Sequence, residues 1–149
     1  MNRVKMALCT IILLIAGLWY YWERPLALAD VIPQENWVRM EMEQMLPSEL
    51  TGDLKFEDPP MEEILSLFES IQVTRTEKSH QLDDESFRIT FYKEEAWPTV
   101  MYVGSTGKIW IAADMQFDDW KHYEGGEGLY IFLTNLSKTL SAAIPVGNS

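Results

Sequence analysis

The residues best equipped for chemistry are two histidines, each with carboxylates nearby. His80 is followed by Asp83, Asp84 and Glu85, a set that could offer nitrogen and oxygen ligands to a metal. The spacing fits no metal loop, the calcium pattern D-x-[DN]-x-[DN]-G included, so a solvated loop explains it better. His122 stands in Asp118-Asp119-Trp120-Lys121-His122-Tyr123-Glu124 and could serve as a general base. No serine, threonine or cysteine nucleophile occupies a recognisable motif such as G-x-S-x-G.

Paired carboxylates occur at Glu62/Glu63, Asp83/Asp84, Glu94/Glu95 and Asp118/Asp119. Adjacent residues on a strand point to opposite faces, and on a helix they lie about 100° apart, so no pair by itself makes the facing acids of a glycosidase. Gly104-Ser105-Thr106-Gly107 lacks the phosphate-loop lysine and joins two strand-like runs, which makes it a hairpin turn. Gly125-Gly126-Glu127-Gly128 precedes a helical pattern, but Glu124 and Glu127 make it hostile to phosphate. Catalytic, cofactor and metal residues are therefore not assigned.

Aromatic residues carry the strongest functional hint. Tyr92 falls on the opposite face of its strand from Phe87, Ile89 and Phe91, and Trp110 alternates with Ile109 and Ile111. With Trp97, Trp120 and Tyr123 these are the candidate partner-binding residues. Rings on an outer sheet face are either covered by a helix or offered to a partner.

The chain divides by composition. Met6 to Trp22 contains no charged residue and closes on Trp19-Tyr20-Tyr21-Trp22. Seventeen helical residues span about 25 Å, the short end of a membrane crossing, and aromatic rings suit the membrane interface. Arg3 and Lys5 flank it on one side, which places the N-terminus in the cytoplasm and the rest outside. Ala27-Leu28-Ala29 is the alternative signal, a cleavage site that would release the domain after Ala29. Either way the remainder lies outside the cytoplasm, and the membrane is the expected partner of the N-terminal segment.

All 23 acids lie from Glu23 onward, against ten of the 12 bases, so that part carries a formal charge of −13. Such a surface is repelled by nucleic acid and by anionic lipid headgroups. The single cysteine, Cys9, lies in the apolar run. The domain accordingly has no disulfide, thiol nucleophile or zinc-thiolate site.

The chain reads as four segments: an anchor over 1–24, a juxtamembrane connector over 25–36, a domain over 37–141 and a frayed tail over 142–149. Leu26, Leu28, Val31 and Ile32 make the connector apolar enough to dock as a helical turn. Val38, Met40 and Met42 alternate with Arg39 and Glu41 as a half-buried strand. Leu54 to Glu57 offers a second extended piece. Asp58-Pro59-Pro60 opens a helix with Asp58 as its cap, continuing through Ile64, Leu65 and Phe68 to about Ser70. Ile71 to Thr76 and Phe87 to Tyr92 read as strands, and Thr99 to Val103 with Lys108 to Ala112 as a hairpin. Asp118 to Gly128 reads as a loop, and Leu129 to Leu140 as an amphipathic helix. The expected fold is α+β: an N-terminal transmembrane helix, then an antiparallel sheet in the order strand, helix, three-strand meander, helix.

The runs Ile71–Thr76 (IQVTRT), Phe87–Tyr92 (FRITFY), Thr99–Ala112 (TVMYVGSTGKIWIA) and Asp118–Leu136 (DDWKHYEGGEGLYIFLTNL) carry a resemblance. Over Val38 to Leu140 the chain resembles small extracytoplasmic domains of unknown function in Gram-positive bacterial lipoproteins and single-pass membrane proteins. The resemblance rests on element order and aromatic placement. It implies a bacterial envelope location and a non-enzymatic role, with no catalytic residues to carry over. The lipoprotein cysteine is missing, which favours the helix-anchored members.

Two functions stand against each other. The first is a membrane-tethered, non-catalytic binding or regulatory module with an envelope protein partner, which requires an exposed aromatic or apolar patch. The second is a small envelope hydrolase, which requires two carboxylates, or His122 and a carboxylate, to converge within about 7 Å in a pocket.

Overall fold

The computed structural model describes residues 3–32, 36–46, 54–77, 81–115 and 119–143. Helix α1 (Arg3–Glu23) comes first, with its side chains exposed along the whole length. Its 21 residues are long and apolar enough to cross a membrane or to be a signal sequence. Pro25 stops it, and the chain enters β1 (Leu26–Ala27) and the single turn α2 (Leu28–Val31). The connector docks as expected, and more firmly. Leu28 and Ile32 are fully covered, Leu26 is buried, and the Leu28 amide donates to the Ile71 carbonyl (2.9 Å).

The remaining elements are β2 (Trp37–Met45), β3 (Leu54–Glu57), α3 (Met61–Ser70), β4 (Gln72–Arg75), β5 (Ser86–Lys93), β6 (Thr99–Gly104), β7 (Ile109–Ala112), β8 (Lys121–Glu124) and α4 (Glu127–Ala143). A 3-10 turn at Ala113–Met115 comes after β7. Eight strands form one sheet in the order β1-β4-β8-β7-β6-β5-β2-β3, with every neighbouring pair antiparallel. The class is α+β.

The sheet is wider than the sequence pattern implies. Lys121 to Glu124, read as loop, is strand β8 and joins β7 to β4. Four residues with one buried side chain, Tyr123, are too few for a period to register. The strand exists because β4 and β7 present open edges on both sides of it, and buried backbone groups need partners.

Two local expectations are corrected. Val38 is 60% exposed rather than inward. The β2–β5 register steps from Trp37↔Lys93 to Arg39↔Tyr92, so Val38 is the extra residue of a bulge. Trp37 fills the inward place instead, stacked on Phe91 with ring centroids 4.3 Å apart. Asp58 does not cap α3; the cap position is Pro60, without a side-chain hydrogen bond, and Asp58 has φ 51°. The helix ends at Ser70 as its pattern indicates. Helix α4 runs to Ala143, beyond the expected end, while residues 144–149 lie outside the described set.

Both long helices of the domain lie on one side of the sheet. Phe68 of α3 meets Phe91 edge-on (6.1 Å), and Tyr130 of α4 meets Phe87 edge-on (5.6 Å). Phe87, Ile89, Phe91, Met101, Val103 and Ile109 are sealed beneath them, together with Ile64, Leu129 and Leu133. This places the core on one face; among the described residues no helix covers the other.

Candidate functional site

Alternation within the strands sends a defined set of side chains to the helix-free face. Strand register then aligns them across the sheet. Glu43 lies opposite Arg88, Arg88 opposite Tyr102, Tyr102 opposite Trp110, and Trp110 opposite His122. One cross-strand row therefore runs over β2, β5, β6, β7 and β8. The next row holds Glu41, Thr90, Val100 and Ala112, and Arg39 faces Tyr92 beyond it.

The aromatic half of this face is a ring cluster. Trp120 sits 5.4 Å from Tyr102 and 6.3 Å from Trp110, and Trp110 sits 5.0 Å from His122. All four side chains are half-buried. Tilted ring pairs at these separations are attractive beyond their buried area, so the cluster holds its own shape.

The polar half is an ion-pair network. Glu41 accepts from the Tyr92 hydroxyl (2.8 Å) and pairs with Arg39 (3.0 Å) and Lys55 (3.3 Å). Arg39 also rests its guanidinium over the Tyr92 ring at 4.3 Å. Arg88 pairs with Glu43. Burial would raise the Glu41 pKa, but the Tyr92 hydroxyl, Lys55 and Arg39 outweigh it and hold the carboxyl below its ordinary value. Burial, and then the bond to Glu41, pushes the Tyr92 hydroxyl up, so it stays a donor. A groove of about 370 Å³ lies here, lined by Glu41, Arg88, Thr90, Tyr92, Pro98, Val100 and Tyr102.

These two carboxylates are poorly suited to hydrolysis. A glycosidase acid needs a raised pKa so that it holds a proton near neutrality. Glu41 is shifted the other way, and Glu43 is tied to Arg88. Among the described residues no group of three or more His, Cys, Asp or Glu side chains is placed to hold a metal. His80 and Asp118, and with them the His80 cluster and the Asp118–His122 pairing, lie outside the described residues.

The Gly104–Gly107 turn has its cradle filled from within the chain. Asp83 Oδ2 accepts from the Thr106 amide (3.0 Å) and hydroxyl (2.7 Å), and Lys108 stands 3.5 Å from the same carboxylate. A Cβ on Gly104 would collide with Asp83, and one on Gly107, at φ +85°, with Glu127. Gly126 donates to the Gly107 carbonyl (2.9 Å), which docks the second glycine turn on the first. Both turns are structural.

The five candidate aromatics are therefore not equivalent. Tyr92, Trp110 and Trp120 gather on the helix-free face. Trp97 is 70% exposed in the turn between β5 and β6, away from the row. Tyr123 points to the opposite side and is buried in the core, where burial raises its hydroxyl pKa. Sequence reasoning did not place Arg88, Glu43 and His122 in this surface. Outward alternation along β5 marks Arg88 beside Tyr92, but the row itself exists only through register. Comparison with protein-family models, with known proteins and with solved structures finds no match for this chain.

Proposed function

We propose that this chain is a membrane-tethered, non-catalytic binding or regulatory module that docks an envelope protein on the helix-free face of its sheet. The observation that carries the proposal is the Tyr102–Trp110–Trp120–His122 ring cluster on a face that no helix among the described residues covers. Aromatic residues flanked by charged groups are the composition of interface hot spots. The resemblance to extracytoplasmic bacterial domains points the same way.

Retention of α1 is supported by what cleavage after Ala29 would remove. The released domain would lose β1, its pairing with β4, and the buried side chains of Leu26 and Leu28. A leader discarded after export has no reason to supply core residues. The hydroxyl of Thr10, the polar residue within the apolar run, bonds to the Met6 carbonyl (3.0 Å), which suits a lipid environment. The charge asymmetry across α1 favours a domain outside the cytoplasm.

The test uses a photo-crosslinking residue at Trp110 or Trp120 in native membranes, with Ile131, on the exposed side of α4, as control. A discrete adduct from the two sheet positions and none from Ile131 is expected. Identical products from all three positions, or none, would reject the docking face. Protease added to intact cells should digest the domain and leave α1 protected.

A further inference from the structure

Among the described residues the acidic domain pairs five of its nine cations internally. Arg39 and Lys55 meet Glu41, Arg88 meets Glu43, Lys93 meets Asp114, and Lys108 meets Asp83. Arg24, Arg75, Lys121 and Lys138 form no such pair among the described residues. Three of these four lie where α1 enters the domain.

Arg75 and Lys121 line one pocket of about 460 Å³, together with Trp22, Thr76, Glu77, Trp120, His122 and Tyr123. Arg75 is aimed by α1 itself. It donates to the Tyr21 carbonyl (2.9 Å) and lies over the Tyr21 ring at 4.4 Å. The β4–β8 register sets Arg75 opposite Tyr123, with Lys121 two residues along on the same face. Glu77 is the pocket's single acid, so its formal charge is +1 within a domain of −13. A second hollow, lined by Ala16, Trp19, Tyr20, Glu23, Arg24 and Pro25, lies on the last turns of α1.

We infer that the pocket between the end of α1 and strands β4 and β8 binds the phosphate of an anionic phospholipid headgroup, with Arg75 and Lys121 as its cations. The inference rests on α1 being inserted in a bilayer. The Trp19–Trp22 aromatics then sit at the headgroup level, and the pocket opens at that height. Guanidinium and ammonium donors suit a phosphate, and the indoles of Trp22 and Trp120 wall it from water. A lipid is favoured over free phosphate because one wall of the pocket belongs to the membrane helix. Bound there, the lipid neutralises two cations that form no ion pair among the described residues and offsets the repulsion between an acidic domain and its own membrane.

The full chain, reconstituted in nanodiscs of phosphatidylcholine with about one-fifth phosphatidylglycerol, is released into the gas phase and its retained lipids are counted by native mass spectrometry. The wild-type chain should retain one phosphatidylglycerol. Lys121→Gln, an exposed change that leaves the fold intact, should weaken retention about tenfold, and Arg75→Gln by at least as much. Equal retention by the wild type and both variants, or equal retention of phosphatidylcholine, overturns the inference. Displacement by millimolar inorganic phosphate assigns the site to free phosphate and also overturns it. Alkaline extraction of native membranes separates the two readings. A chain that washes off refutes the anchor and this site together, whereas a chain that stays while the variants behave as wild type refutes this site alone.

Discussion

The two faces of the sheet are built from the same strands by different means. On the helix-covered face, large apolar side chains interlock and almost no water reaches them. On the helix-free face, rings cover rings and cations cover carboxylates, and these rings and ion pairs keep some contact with solvent. The first arrangement derives its energy from area removed from water and from close packing. The second derives little, because exposed ion pairs and half-buried rings are each worth about 1 kcal/mol or less. A surface so ordered, yet contributing so little to stability, is the one on which the proposed docking rests.

The comparison is broken most directly at Phe91, which touches both Trp37 and Phe68. Phe91→Ala should cost about 3–5 kcal/mol, read as a loss of midpoint in denaturant unfolding of the detergent-solubilised chain. A cost below about 1 kcal/mol would mean that the covered face is not the core. Leu28→Ala asks whether the juxtamembrane connector belongs to that core. Its expected cost is about 3 kcal/mol, whereas a dispensable linker residue would cost nothing measurable.

On the other face, Glu41→Gln should cost about 1 kcal/mol. The pH dependence gives a sharper reading. The folded Glu41 pKa lies below its unfolded value, so its stabilisation is complete above the ordinary glutamate range and is lost as pH falls through the folded pKa. Asp83, lowered by its bonds to Thr106 and by Lys108 against the upward push of burial, adds to the same acid slope. Unfolding titrations of Glu41→Gln should therefore show a flatter decline below about pH 4 than wild type. An unchanged slope would show that Glu41 does not carry its share.

Trp110→Ala should have the smallest effect on stability, below about 1 kcal/mol, because two of its ring neighbours remain in contact with each other or the sheet. It should nonetheless abolish the adduct formed through Trp120. A Trp110→Ala chain that is as unstable as Phe91→Ala would make the ring cluster a second core rather than a docking surface.

Most of the covered face was legible in the linear pattern. The inward alternation of Phe87, Ile89 and Phe91, the hairpin at Gly104–Gly107 and the apolar stripe of α4 each rest on neighbours in sequence, and each is found where the pattern puts it. Two departures are informative. Val38 matches the alternation but falls on a bulge, because a register step is a property of two strands rather than one. Strand β8 carries no period of its own and is extended because β4 and β7 flank it. The candidate surface was half legible. Alternation turned Tyr92 and Trp110 outward, yet Tyr123, equally aromatic and equally polar in its surroundings, turned in.

Linear order by itself determined the long apolar helix, the acidic character of the chain beyond it, the absence of cysteine chemistry there, and the α+β class. Composition and short-range period are local properties, and the forces that act on them need no distant partner. Tertiary structure alone decided which sheet face the helices take. It also decided that the connector supplies part of the core, and that Glu43, Arg88, Tyr102, Trp110 and His122 stand in one row. The physical reason is register: their side chains meet only after strands separated by loops of differing length pair at one spacing, and no single strand encodes that spacing.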